Sequence, residues 1–191
     1  PAIQRVLTQA HTDIHKLSAV YVAVGPGGFS ALRVGMSTAI AIVTACEIDL
    51  VAVSTLDIEA RPFLRLGYEV RTIVGAGRGR LYLGEYASDG TVQNGSGSLV
   101  SIDEFLDSLA DGTIYCGEAV NELGVAINER LGQHAMVADT LPPTRNGGVM
   151  AMLGYQKLQS GDCANPRELE PVYLNSSQVD AAARKWRSVS G

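Results

Sequence analysis

The feature that most constrains this chain is one stretch near its start. Leu17 to Val24 (LSAVYVAV) is almost unbroken apolar sequence, rich in β-branched and aromatic residues, and it stops at Gly25-Pro26-Gly27-Gly28. A continuous run of this kind, closed by turn residues, reads as a strand buried on both faces. Residues 32–46 (LRVGMSTAIAIVTAC) then read as a helix, apolar and small-residue-rich nearly all round. A membrane span needs about 20 such residues; this segment is shorter and carries Arg33, Ser37, Thr38 and Thr44. It reads as a buried or interface helix. Leu50 to Val53 supplies a second strand, and strand–helix–strand order implies an α/β fold with parallel pairing.

The flanking sequence extends this pattern. PAIQRVLTQA opens on a helical spacing, with Ile3, Val6, Leu7, Ala10 and Ile14 on one stripe. Ser54-Thr55-Leu56-Asp57 resembles a capping box and predicts a third helix to about Leu66. Gly67 then marks a change. Strands over 70–76 and 80–87 straddle Gly77-Arg78-Gly79, which is hairpin chemistry. Ser101-Ile102-Asp103-Glu104 is a fuller capping box that starts a helix to about Ala110. A strand at 113–116, helices at 119–131 and 147–159, and a strand at 171–174 follow. The division expected is therefore residues 1–66 and 67–191, two α/β units.

Composition narrows the function. A net charge of −5 argues against a surface built throughout to neutralise phosphates. Three cysteines without a CxxC pair exclude a disulfide framework and structural zinc, and point to a reducing, cytoplasmic setting. His11 and His15 would share one helical face but lack a third ligand. Cys116 ends an apolar strand and reads as a structural thiol. Ser30 has no GxSxG context and no obvious base. No HExxH, DxD or carboxylate cluster is present, so no catalytic residue and no metal ligand is assigned.

Two surfaces remain. Gly25, Gly27, Gly28 and Ser30, with Arg33 one turn into the helix, could cradle an anion between strand and helix. The turn satisfies neither GxGxxG nor Walker A, and a tight turn with close backbone packing is the competing reading. Gly35 and Ala39, with Val43 a turn later, form a small-residue face that suits either the approach of another helix or an internal core contact.

VGPGGFSALRVG at 24–35 and VAVSTLDIEA at 51–60 resemble the TsaB family, also called YeaZ. Its pattern is Gly-Pro-Gly-Ser-Phe-Thr-Gly-Leu-Arg, a helix, and a strand ending Gly-Val-Ser-Thr-Leu. Gly25, Pro26, Gly27, Phe29, Leu32, Arg33 and Gly35 match, as do Val53, Ser54, Thr55 and Leu56. Glu170-Pro171-Val172-Tyr173-Leu174 is similar to the family's Pro-x-Tyr-Leu-Arg ending, with Asn175 in place of the Arg.

The resemblance implies the two-lobe fold of actin, Hsp70 and sugar kinases (ribonuclease H-like). It also implies a cytoplasmic, non-catalytic subunit of the bacterial machinery that makes N6-threonylcarbamoyladenosine in tRNA. Its partners would be the catalytic paralogue TsaD and the ATPase TsaE, so that ATP and metal act in those subunits and tRNA is met only indirectly. Docking would use the helices at about 2–15 and 31–46, through Ile3, Val6, Leu7, Ala10, Leu32, Gly35, Met36, Ala39, Ile40 and Val43. In isolation the same helices would form a homodimer. A nucleotide-dependent phosphotransferase or hydrolase, or a peptidase-like member of the same superfold, is the alternative.

The family's Asp-Ala-Arg reads Gly75-Ala76-Gly77 here, losing both charges. The family's opening strand with Asp-Thr-Ser, and the hairpin after it, has no counterpart; the expected deficit before Pro1 is roughly 30–40 residues.

Overall fold

A computed structural model describes residues 2–138 and 144–174. The run at 17–24 becomes strand β1 (Ala19–Gly25), and the helix after it, α2 (Phe29–Cys46), begins three residues earlier than its apolar stripe suggests. β2 (Asp49–Ser54) pairs with β1 in parallel, Val20 opposite Leu50 and Ala23 opposite Val53. Alternate side chains of this pair serve two layers. Val22, Val24 and Leu50 meet Met36, Ala39 and Val43 of α2. Val51, Val53 and Tyr21 meet Val149, Met150 and Leu153 of α6 (Gly147–Gln159) on the other face. Burial on both faces is why β1 reads as a continuous apolar run. α2 is long and apolar enough by composition to cross a membrane, but one of its sides is packed into this core.

The second sheet has the order β5-β4-β3-β6-β7. β3 (Glu69–Gly77) and β4 (Arg80–Tyr86) form the expected hairpin, with Gly77, Arg78 and Gly79 all at positive φ. β6 (Thr113–Cys116) lies parallel to β3. β5 (Ser98–Ser101) and β7 (Met136–Val137), too short to show periodicity, extend the two edges. α4 (Ile102–Asp107) and α5 (Val120–Leu131) bury Phe105, Leu106, Val120 and Ile127 against this sheet. The Ser101 capping box is fully formed: Glu104 N–H donates to Ser101 Oγ at 3.1 Å, and Ser101 N–H to Glu104 Oε2 at 2.8 Å.

Four expectations are corrected. The first helix, α1 (Ala2–Gln9), stops well short of residue 15. His11 turns left-handed (φ 51°), with Thr12 N–H donating to Leu7 O and His11 N–H to Thr8 O, the paired bonds of a Schellman end. Asp13 then caps a separate 3-10 turn, Ile14–Lys16, so His11 and His15 share no helical face.

The third helix, α3 (Thr55–Ala60), ends before Pro62, which has no N–H to continue the ladder. Asp57 also does not complete its capping box, because its carboxylate accepts the Tyr86 hydroxyl at 2.8 Å.

Residues 171–174 form no strand; Val172 N–H makes one bond to Val24 O at 2.8 Å. Finally, division at residue 67 fails for α6, which returns to the first sheet. Asn175 and the basic residues Arg184, Lys185 and Arg187 lie outside the described residues.

Candidate functional site

The glycine turn sits at the carboxyl end of β1, where ligands bind in open α/β sheets. Gly25 adopts φ 109°, and a Cβ there would stand 3.0 Å from Val172 O. The turn is thus closed on one side by the chain's own segment 171–174. Gly25 and Pro26 are buried, while Gly28 and Ser30 reach the surface. Gly28 caps α2 without a side-chain hydrogen bond.

Gly27 faces a group that sequence reading did not flag: a Cβ on it would lie 3.8 Å from both terminal nitrogens of Arg145. That guanidinium pairs with Glu118 at 3.1 Å, and the Arg145 backbone N–H donates to the Glu59 carboxylate. Glu59 is only 6% exposed. Burial raises its pKa most, the Arg145 N–H bond opposes this, and the nearby Glu118 charge raises it further. Two carboxylates, from α3 and the turn after β6, therefore converge on Arg145, which lies just before α6 and beside the glycine turn. The guanidinium beside Gly27 is paired with Glu118, so an ion pair lies alongside the turn. Asn146, which caps α6 by accepting from Gly148 and Val149 N–H, was the local signal that a turn falls here.

Arg33 points elsewhere. Its Nε donates to the Tyr173 hydroxyl at 3.1 Å, and its guanidinium stands 4.1 Å from the centroid of the Phe29 ring. Phe29 in turn stacks on Tyr173, centroids 5.3 Å apart. The candidate anion residues thus split, Gly27 toward Arg145 and Arg33 toward Tyr173.

A crevice of about 250 Å³ opens between the sheets, with Gly25, Ser54, Asp57, Tyr86 and Lys157 among its walls. Desolvation, with the Asp57 charge adding to it, pushes the Tyr86 phenol far up. Cys116, bonded to Thr72 Oγ1 at 3.2 Å, is raised to about 12 by burial and stays a thiol at neutral pH. Among the described residues no three or more His, Cys, Asp or Glu side chains gather as a metal site.

The helix-face residues also divide. Leu32, Met36, Ala39 and Val43 are buried within the chain itself, against β1 and β2, and are corrected as contacts for a partner. Ile40 is half-buried, and Gly35 is exposed with open space where a Cβ would stand. On α1 nothing is buried; Ile3 and Val6 are exposed, as is Ala10 just beyond it, and Leu7 is half-buried. Val34, missed in the sequence because it lies off the Gly35–Ala39 line, is the most exposed large apolar side chain of α2 at 68%.

Comparison with known proteins gives the following. The sequence pattern of TsaD, described as tRNA N6-adenosine threonylcarbamoyltransferase, matches residues 1–141. The tRNA threonylcarbamoyladenosine biosynthesis protein TsaB of Bacillus subtilis (strain 168) is 24% identical over 191 residues, covering 97% of this chain and 80% of its own. The protein of the same name from Escherichia coli (strain K12) is 30% identical over 91 residues, 47% of this chain and 39% of its own. Among solved structures, YeaZ from Pseudomonas aeruginosa superposes with a TM-score of 0.68 at 20% identity, covering 90% of this chain and 80% of its own. A second structure, from the same organism and described as similar to peptidase YEAZ, gives 0.67 at 21% identity, covering 91% and 81%. At that identity the structural likeness speaks for the fold.

Proposed function

Because the chain belongs to the TsaD family, as one of its TsaB/YeaZ members, we propose that it acts in forming N6-threonylcarbamoyladenosine in tRNA as a non-catalytic subunit. On this reading it docks to a TsaD-like catalytic paralogue, with a TsaE-like ATPase joining them; ATP and metal belong to those partners, and tRNA is reached through them. The two-lobe architecture of the family, one lobe around each sheet, is part of the same reading.

The observation that carries the proposal is the uncovered apolar surface on α1 and α2. α1 buries none of its residues. Ile3 is 46%, Val6 61% and Val34 68% exposed. Apolar side chains this open on two helices support a docking face there. Without its partner, the chain would cover the same face by pairing with a second copy.

The test is co-elution of the chain with its cognate TsaD-family protein in size-exclusion chromatography. Val34→Arg is the interface variant, since Ala39→Arg would place a charge in the chain's own core. The expected result is a stoichiometric complex for the wild type and separate peaks for Val34→Arg. Separate peaks for the wild type would reject the docking reading.

A further inference from the structure

Arg33 is the only charged residue of α2, and two contacts of its own, with a third between the two partners, orient it. One N–H is committed to Tyr173 Oη at 3.1 Å, one face lies 4.1 Å over Phe29, and Phe29 is itself stacked on Tyr173. No carboxylate among the described residues pairs with it. A guanidinium held this way keeps its terminal amino groups as a fork of fixed direction, the geometry that suits a planar oxyanion. Phe29 remains 55% exposed beside it, and aromatic residues and arginine are both enriched at protein interfaces.

The fork borders a groove of about 380 Å³ between α2 and residues 169–173. Met36, Ile40, Leu169 and Pro171 give it apolar walls, and Glu170 also lines it. On the neighbouring turns of α2, Val34, Gly35, Thr38 and Ala41 are exposed, so the cluster is continuous with the face assigned to docking. We propose that Arg33, braced by Phe29 and Tyr173, receives an Asp or Glu side chain of the catalytic partner, with an adjoining aliphatic residue of that partner entering the groove.

This rests on the docking reading and names the chemistry of its contact. A single carboxylate fits better than nucleic-acid phosphate: Glu170 sits in the same groove, and the chain's net −5 charge opposes a polyanion.

The experiment uses the full chain, its purified cognate TsaD-family protein, and calorimetry at two salt concentrations. Arg33→Gln is expected to weaken binding about tenfold or more and to flatten its salt dependence. Arg33→Lys should retain the salt dependence but bind more weakly than wild type, because an ammonium cannot fork. In that second variant a carbodiimide should join the introduced amine to an Asp or Glu of the partner, identified by peptide mass.

Wild-type-like affinity and salt slope in Arg33→Gln would overturn the inference while leaving docking intact. A loss seen only when tRNA is present would also overturn it, by assigning the fork to phosphate. No wild-type complex at all would remove the docking reading and this contact together.

Discussion

Glu59 is buried where its carboxylate is held by one backbone N–H of Arg145 and repelled by Glu118. Its pKa is raised by burial, so the folded chain binds this proton more tightly than the unfolded chain does. The contribution is stabilising below the ordinary glutamate value of 4.5 and is lost as pH rises through the higher folded value. Glu59→Gln keeps an oxygen for the Arg145 N–H without the charge. Urea unfolding should therefore show the wild type losing ground to Glu59→Gln as pH climbs from 4.5 toward about 7. A difference that is constant with pH would contradict the assignment.

Gly25 permits a second test at this scale, since its φ of 109° and the nearby Val172 carbonyl leave no room for a methyl group. Gly25→Ala should cost about 1–3 kcal/mol in denaturant unfolding. The glycine itself was legible in the sequence as a turn. Its neighbours were not, because Glu59, Glu118 and Arg145 come from three segments that only the sheet topology brings together.

Elements with long, strongly patterned sequence were readable: β1, α2, the β3–β4 hairpin and the capped α4 all stand where periodicity and turn chemistry put them. The misreadings have local causes. α1 loses its last turn to a left-handed His11, and α3 stops at Pro62, whereas β5 and β7 are edge strands only four and two residues long.

α1 has eight residues and buries none of them, and helices this short are marginal without packing. Its amides should exchange with little protection in the isolated chain and become protected when the docking partner is added; protection in the isolated chain would mean that α1 is already covered. Gly35, mid-helix with open space around it, makes the complementary case. Gly35→Ala should stabilise the isolated chain by about 0.5–1 kcal/mol. If another helix packs there, the added methyl should weaken the complex. A gain in both would place the contact elsewhere.

At the scale of the molecule, the two sheets are tied by more than the chain that links them. α3 lies between them, Tyr86 of the second sheet bonds Asp57, and α6 returns from the end of the second half to cover the first. On the opposite face of β1 and β2, α2's residues divide: Leu32, Met36, Ala39 and Val43 pack into the fold, leaving Val34, Gly35 and the Arg33 fork for contacts outside it. Sequence alone left Gly35, Ala39 and Val43 open between a partner contact and an internal core contact, since small and apolar residues look the same in either setting. Only the position of β1 and β2 separates the two sides.

The central claim is that this outer side docks a TsaD-like subunit, and the most direct measurement is the affinity of the purified chain for that subunit, wild type against Val34→Arg. The account predicts a measurable complex that Val34→Arg abolishes without lowering the melting temperature of the isolated chain. Equal affinity in the two proteins would contradict it.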